Sequence, residues 1–243
     1  TSIMRTTILP SMLEILTRNY NFRNPSARLY ELGRTYFERE DGMADEPKIL
    51  SLGLYGPGET FFTLKGSVMT VLDSLRAENV TFIAETGNPS YHPGRCAKVF
   101  AGTREVGILG QIHPLVAANY GVDAELYCAE LKFDALVASR GADPEYTPLP
   151  KFPAVTRDIA ILVDTTVTVG ALEEGIRAAA KGLLKEVSLF DIYNGANLPV
   201  GKKSVAFNLI LRADDRSLTA QEADDEVNLI LEHLKRDFDA SLR

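Results

Sequence analysis

Residues 187–217 hold two segments of alternating apolar and polar side chains, joined by a connection rich in glycine and proline. Alternation with a period of two predicts β-strands, and such a connection predicts an antiparallel hairpin. One predicted face is apolar and holds the side chains of Phe190, Ile192, Val205, Phe207 and Leu209. The opposite face is mostly polar and holds those of Leu189, Asp191, Tyr193, Ser204, Ala206, Asn208, Ile210 and Arg212. This pattern is typical of a half-solvated antiparallel sheet, and it also suits a platform for a nucleobase.

The sequence on either side of the hairpin extends it into a split β-α-β fold. Residues 157–163 alternate as a strand, and Thr168 then has the position of a helix N-cap, with Gly182 at the predicted end of that helix. Downstream, Thr219 and Glu222 have capping-box spacing and predict a second helix, which leaves residues 240–243 as a short last strand. This order predicts a ferredoxin-like sandwich with helices on one face of the sheet.

The first half of the chain predicts an antiparallel sheet backed by helices. Helices are expected over 10–20 and 63–76 and directly after His113-Pro114. Alternation predicts strands over 27–38, 48–56, 79–85, 97–100 and 105–111, and a final strand within 125–137. Residues 138–151, ASRGADPEYTPLPK, contain three prolines and show no apolar period, so they are predicted to form a linker.

Several short segments resemble a known family. In the second half these are KFPAV at 151–155, RDIA at 157–160, LFDIYNG at 189–195 and LPVGKKS at 198–204. Together they resemble the ferredoxin-fold anticodon-binding domain of the bacterial phenylalanyl-tRNA synthetase beta chain. The first half resembles the class II synthetase-like module of that chain, through LP at 9–10, LYELGR at 29–34, FTLKG at 62–66, HPGR at 92–95 and GQIHP at 110–114. The resemblance covers nearly all of the 243 residues.

The resemblance implies an α+β chain with a non-catalytic class II synthetase-like core module in residues 1–147 and an anticodon-binding domain in residues 148–243. It implies the C-terminal portion of the beta chain of a phenylalanine-tRNA ligase. That enzyme charges tRNA with phenylalanine, uses ATP and Mg²⁺, and works in the cytoplasm as a tetramer of two alpha and two beta chains. The expected partners are therefore the alpha chain and tRNA(Phe). Since the sequence starts at Thr1, it is expected to be a fragment without its N-terminal modules, inactive alone and without a cofactor of its own.

The resemblance and the strand parity together assign RNA binding to the polar face of the hairpin. Tyr193 is expected to stack on a base of the single-stranded anticodon, while Asp191 and Ser204 contact the edge of that base. Phosphates are expected to meet Lys202, Lys203 and Arg212. In the alternative interpretation, the Tyr193 ring only packs on Leu189 or on the linker.

The overall charge of -7 argues against a nucleic-acid partner, but its distribution weakens that argument. Most carboxylates of the second half fall on the two predicted helices, and acidic helix runs are usually solvated surface. The strand side is left with Lys202, Lys203, Arg212 and Arg216, opposed by Asp191, Asp214 and Asp215. We therefore expect an acidic helix face and a mildly basic opposite rim.

The sequence predicts no catalytic or metal-binding residue. It contains none of the motifs GxxxxGK[ST], GxGxxG, GxSxG and HExxH, and His92, His113 and His233 lack metal-ligand spacing. Cys96 and Cys128 are too far apart for a zinc motif and are expected to be buried thiols. No segment is long and apolar enough to span a bilayer.

A working class II site needs arginines that grip the ATP phosphates. The strand YELGR at 30–34 lacks the Arg-x-Glu pair, and residues 107–113 lack the arginine of a third motif. Arg28, Arg34 and Arg95 stay as candidates, with salt bridges as the simpler role. Two alternatives remain open: a self-sufficient ATP-dependent ligase in residues 1–137, and a protein-protein scaffold whose ferredoxin-like domain never touches RNA.

Overall fold

The computed structural model describes residues 3–195 and 197–243 and divides into two compact units. The first ends at Pro144 and the second begins at Glu145. This division lies within residues 140–154, which form neither helix nor strand. Thr1 and Ser2, in the predicted module 1–147, and Ala196, in the predicted hairpin connection, lie outside the described residues.

The first unit is built on a six-stranded antiparallel sheet. Its strands are β1 (Ala27–Arg34), β4 (Lys48–Tyr55), β5 (Val80–Ala84), β6 (Tyr91–Ala101), β7 (Arg104–Ile112) and β8 (Tyr127–Lys132). They lie in the order β1-β4-β8-β7-β6-β5. Between β1 and β4, two short strands pair with each other, β2 (Phe37–Glu38) and β3 (Ala44–Asp45). The antiparallel sheet confirms the fold class expected for this half.

Helices cover both faces of this sheet. The four helices of the unit are α1 (Leu9–Asn21), α2 (Phe61–Ser74), α3 (Pro114–Asn119) and α4 (Phe133–Ala138). Successive strand residues belong to different apolar clusters: Tyr55 packs with Met12 of α1, whereas Leu54 packs with Leu64 of α2. Because neighbouring residues of a strand point to opposite faces, both faces carry core.

The backbone packing in this unit leaves no room for extra atoms at two glycines. A Cβ on Gly53 would lie 2.6 Å from the Met12 side chain of α1. A Cβ on Gly107 would lie 2.9 Å from the Leu131 Cα and would overlap the Glu130 carbonyl oxygen on the adjacent strand. The sheet is therefore in close contact with the elements around it, as expected of a protein interior.

The second unit has the order β-α-β-β-α-β. Its elements are β9 (Val155–Asp164), α5 (Val169–Ala179), β10 (Leu184–Tyr193), β11 (Lys202–Leu211), α6 (Ala220–Phe238) and β12 (Ser241–Leu242). The sheet order is β10-β11-β9-β12, with every pair antiparallel. Thr168 and Thr219 cap α5 and α6 as predicted, and Glu222 completes the capping box of α6. The ferredoxin-like arrangement is confirmed, although α5 ends before Gly182.

One apolar cluster fills this unit, on the helix side of its sheet. The cluster contains Ile159, Ile161, Val163, Leu172, Ile176, Val187, Val205, Phe207, Leu209, Ile230, Leu234 and Ala240. The intervening residues of β9, Ala160 and Leu162, belong to the other face and are only partly buried. The sheet thus has one face against α5 and α6 and one open face, which is hereafter called the open face.

The predicted core position of Phe190 is wrong, whereas Ile192 lies on the predicted side of the sheet, opposite Val205, but on the exposed edge strand β10. Phe190 is 59% exposed and Ile192 is 44% exposed. The register explains this result: Leu189 lies opposite Phe207, whereas Asp191 lies opposite Ala206, so Phe190 is the extra residue of a β-bulge. The bulge also moves Leu189 from its predicted place on the polar face to the same side as Phe207.

Of two strand predictions in the first unit, one is confirmed and one needs correction. The final strand expected within 125–137 is β8, which ends at Lys132, where α4 follows at once. The segment 27–38 is interrupted after Arg34, and only Phe37 and Glu38 resume strand pairing. Within the described residues, no helix combines the length and the hydropathy needed to cross a membrane.

Candidate nucleic-acid interface

Asp191, Tyr193 and Ser204 share the open face of the second unit. Tyr193 lies directly opposite Ser204 in the ladder between β10 and β11, and Asp191 lies opposite Ala206. Residues paired across an antiparallel ladder point to the same side, so these two pairs place the three polar side chains on one face. Asp191 is exposed, Tyr193 is half-buried and Ser204 is almost fully buried.

The Tyr193 ring is in contact with a residue that sequence reasoning missed. The Arg243 guanidinium carbon lies 4.9 Å from the ring centroid, a cation–π arrangement. The Arg243 backbone N–H donates to the Ala160 carbonyl at 3.0 Å, which continues the β12–β9 pairing and directs Arg243 to the open face. No sequence signal identifies this contact, because it depends on which strand the last residues join.

Gly195 also contacts the Tyr193 ring. A Cβ on Gly195 would overlap the phenol oxygen and Cζ of Tyr193. The backbone just after β10 therefore lies directly against the phenol end of the ring, and only glycine leaves space for this approach. The contacts of Tyr193 are thus with the Gly195 backbone and the Arg243 guanidinium, whereas Leu189 faces the helix side.

Lys202 and Lys203 lie at the same end of the sheet as Tyr193. The Lys202 Nζ atom is 3.3 Å from Oδ2 of Asp239, and the Lys203 Nζ donates to the Thr165 carbonyl at 3.2 Å. Both contacts are on the surface, where such interactions contribute little stability. Each ammonium can therefore exchange its present partner for a phosphate at small cost.

Arg212 is not brought together with the other candidate residues. It follows the last residue of β11, at the end of the strand far from Ser204, roughly 27 Å away at about 3.3 Å per residue. Its nearest carboxylate is that of Asp214, with Nε and Oδ1 4.0 Å apart. Asp214 in turn accepts a hydrogen bond from Lys185, which lowers the pKa of its carboxyl group.

The mildly basic rim expected from the sequence is largely neutralised. Besides Lys202 and Arg212, Arg216 also pairs with carboxylates, those of Asp215 and Glu222. Hydrogen bonds from the Thr219 backbone and hydroxyl, followed by the one from Arg216, lower the pKa of Glu222 from 4.5 to about 2. The open face also carries Asp158, hydrogen bonded to Asn208 at 2.6 Å. A base contact on this face would depend more on stacking than on net positive charge.

The three arginines that could have marked an ATP site each pair with a carboxylate. Arg28 contacts Glu59 at 2.7 Å, and Arg34 contacts Glu46 at 2.8 Å. The Arg95 guanidinium contacts Gln111 at 2.6 Å and Glu125 at 2.9 Å. Burial and the hydrogen bond to Glu125 raise the pKa of Tyr127 to about 12, so this phenol stays protonated and donates to that carboxylate. The structure gives these arginines the simpler, salt-bridging role.

The histidines before proline make local backbone contacts, and the two cysteines are buried. The His92 Nδ1 accepts from the Gly94 N–H, and the His113 Nδ1 accepts from the Leu115 N–H at the start of α3. Cys96 and Cys128 are both buried, and burial raises the pKa of the Cys96 thiol to about 11. Among the residues that the structure describes, no group of three or more His, Cys, Asp or Glu side chains is placed to hold a metal ion.

Comparison with known proteins agrees with this two-unit architecture. Residues 1–133 match the family model described as the phenylalanyl tRNA synthetase beta chain CLM domain, and residues 150–243 match the ferredoxin-fold anticodon binding domain. The phenylalanine-tRNA ligase beta subunit of Clostridium tetani is 40% identical and covers 100% of this chain, which spans 31% of that relative. The corresponding subunit of Bacillus subtilis is 35% identical, again over 100% of this chain and 32% of the relative. The chain thus spans about a third of the length of these relatives, and it belongs to the phenylalanyl-tRNA synthetase beta-chain family.

Proposed function

We propose that this chain is a non-catalytic part of a phenylalanine-tRNA ligase beta subunit that holds the anticodon region of tRNA(Phe) on the open face of its second unit. In this proposal residues 148–243 form the anticodon-binding domain and residues 1–147 form the core module. Tyr193 stacks on an unpaired base, and Asp191 and Ser204 contact the edge of that base. Aminoacylation is carried out by the complete cytoplasmic enzyme, which supplies the sites for ATP and Mg²⁺.

The observation that carries the proposal is the one-sided cover of the four-stranded sheet. The open face holds an aromatic ring and a carboxylate at Tyr193 and Asp191, and the almost fully buried hydroxyl of Ser204 lies opposite Tyr193 in the ladder. Single-stranded RNA is recognised by stacking on aromatic rings and by hydrogen bonds to base edges. Lys202, at the same end of the open face, suits a contact with a phosphate. Lys203 lies opposite the core residue Val163 and therefore on the helix side, and Arg212 lies at the far end of the strand, so neither position supports a contact with the same nucleotide.

We further propose that the first unit packs against the alpha chain to form a tetramer of two alpha and two beta chains. The support is an apolar surface at the edge strand β1. Tyr30 is 78% exposed there, Leu32 is half exposed, and they lie opposite Leu52 and Leu50 of β4. Exposed apolar patches of this kind are typical of protein-protein interfaces. Purified without the alpha chain, the protein is expected to form no aminoacyl-adenylate.

The test of the anticodon assignment is Tyr193→Ala in the complete alpha–beta enzyme. Loss of one base stack, about 1 to 3 kcal/mol, should weaken tRNA(Phe) binding by roughly 5-fold to 150-fold. Phenylalanine-dependent ATP–pyrophosphate exchange should not change, because the substitution is outside the chemistry. A Tyr146→Ala variant, which removes an exposed tyrosine from the linker, serves as the matched control. Unchanged tRNA affinity for Tyr193→Ala at physiological salt would show that this face does not bind the anticodon.

A further inference from the structure

We propose that Phe190 is a second aromatic contact for an unpaired base of the bound tRNA, next to Tyr193. This inference rests on the proposed function of the open face and adds a residue to it. It starts from the bulge in β10, where Phe190 has no partner in the ladder to β11.

The fold of the second unit does not need Phe190. Leu189 lies opposite Phe207, and Asp191 lies opposite the next residue, Ala206. If Phe190 were absent, these two pairs would follow each other as in a regular antiparallel ladder. Asp191 and Tyr193 would remain on the open face, and Val187 would remain in the core. The extra residue is therefore not required to set the orientation of its neighbours.

Phe190 is also not part of the apolar cluster of the second unit. Its ring is 59% exposed, whereas Phe207 on the adjacent strand is fully buried. A single exposed apolar side chain is common on protein surfaces and would not be informative by itself. Here it coincides with a bulge, and bulges are enriched beside functional sites, where they redirect a side chain. The combination indicates a ring displayed for a contact.

The position of Phe190 suits a base of the same RNA loop. It precedes Tyr193 by three residues, roughly 10 Å along the strand. The strand β10 forms one edge of the sheet, so a loop lying over Tyr193 reaches this edge. A phenyl ring has no hydrogen-bonding group, so its stacking adds affinity without selecting a particular base. Base identity would be left to Asp191 and Ser204.

The experiment measures tRNA(Phe) affinity of the complete alpha–beta enzyme with substitutions at Phe190. Phe190→Ala and Phe190→Leu should each weaken binding by roughly 5-fold or more, because neither has a π-face for the base. Phe190→Trp should retain binding. Deletion of Phe190 should weaken binding as Phe190→Ala does while leaving the second unit folded. Phe62→Ala, which removes a 75% exposed ring from α2 in the first unit, should leave tRNA affinity unchanged.

Comparison with Tyr193→Ala separates this inference from the proposed function. If Tyr193→Ala weakens tRNA binding and Phe190→Ala does not, the role of Phe190 is wrong and the open face still binds RNA. If neither substitution has an effect, the proposed function fails as well. Leu189 and Ile192 are also partly exposed on this edge, so an apolar protein contact is the competing explanation. Retained tRNA affinity together with reduced assembly of the alpha–beta complex in Phe190→Ala, restored in Phe190→Leu, would overturn the inference in favour of that contact.

Discussion

The two sheets of this chain differ in how their faces are used. In the first unit, α1 packs on one face of the six-stranded sheet while α2 and α4 pack on the other, so its inner strands carry core residues on both sides. In the second unit, α5 and α6 cover one face of the four-stranded sheet, and among the described residues no helix packs on the other. A sheet covered on both sides is a structural core, whereas a sheet covered on one side keeps a surface on which a ligand can lie.

The difference also appears when two neighbouring residues of one strand are compared between the sheets. In β4, the neighbours Leu54 and Tyr55 are both buried. In β11, Phe207 is buried under the helices, and Asn208 beside it faces the open side, where it holds Asp158. Polar groups with local partners can be kept on the second sheet because water reaches that face. If the two faces of the second sheet differ in this way, substitutions on them should differ in their effect on the free energy of unfolding and on RNA binding.

The largest effect is expected from Phe207→Ala in the second unit. Removing a fully buried phenyl ring leaves a cavity and should lower the free energy of unfolding of this unit by about 3 to 5 kcal/mol. The change is measured by urea unfolding, in which fluorescence or circular dichroism monitors each transition. Asn208→Ala, one residue further along β11, is the matched control and should cost about 1 kcal/mol. Equal costs would mean that the two faces are not distinct.

A smaller loss of stability is expected from Gly107→Ala in the first unit. The added methyl group would overlap backbone atoms of β8, which cannot move away as a flexible side chain can. We expect a decrease of about 1 to 3 kcal/mol in the free energy of unfolding. Gly66→Ala in α2 is the control: nothing lies within 4 Å of the added Cβ, and alanine is the better helix former, so it should stabilise by about 0.5 to 1 kcal/mol. A neutral Gly107→Ala would contradict the close packing of the first sheet.

Gly195→Ala should change the open face without changing the core of the second unit. The new methyl group would overlap the phenol end of the Tyr193 ring and force the ring to move, away from its present contact with Arg243. We expect the affinity of the complete enzyme for tRNA to fall by roughly 5-fold, near the lower end of the effect of losing one base stack. The unfolding midpoint of the second unit should not change. A Gly170→Ala substitution in α5, where nothing lies within 4 Å of the added Cβ, should leave tRNA affinity unchanged. Unaltered binding in Gly195→Ala would show that the ring position is not important.

The smallest effect is expected from the surface network around Glu222. Its pKa of about 2 lies below the ordinary value of 4.5, so the charged form is stabilised by folding. This stabilisation is fully present above pH 4.5 and is lost as the pH falls toward 2. Glu222→Gln should therefore lower the unfolding midpoint slightly at pH 7, and the difference from the unsubstituted protein should shrink between pH 4.5 and 2. Glu232→Gln, on the exposed side of α6, is the matched control for the loss of one carboxylate from this helix.

The second unit could be predicted from the sequence because its signals are local. Alternation marked β9 and β11, and Thr168, Thr219 and Glu222 marked the helix starts. The bulge was not predictable, because a period-two pattern reads the same whether or not one residue is left unpaired. Phe190 was therefore assigned to the core, although the sides of Asp191, Ile192 and Tyr193 agree with the expected parity. Arg243 was missed because its contact depends on long-range strand order.

In the first unit, the sequence indicated an antiparallel sheet but not the ends of its elements. The run from Tyr127 through Ala138 is apolar enough for either a strand or a helix, and packing decides that it changes from β8 to α4 at Lys132. Short apolar runs are ambiguous for this reason. Likewise, the ion pairs of Arg28, Arg34 and Arg95 depend on partners from other elements, so the sequence could offer them only as alternatives to a phosphate site.

Methyl NMR on the full chain can show whether RNA lies on the open face of the second sheet. The alanine methyl groups provide a built-in comparison: Ala160 and Ala206 lie on the open face, and Ala171 and Ala220 lie in α5 and α6. Titration with the anticodon stem-loop of tRNA(Phe) should shift the Ala160 and Ala206 signals and leave those of Ala171 and Ala220 in place. Shifts confined to the helix residues, or no shift at an RNA concentration that saturates the complete enzyme, would contradict the account.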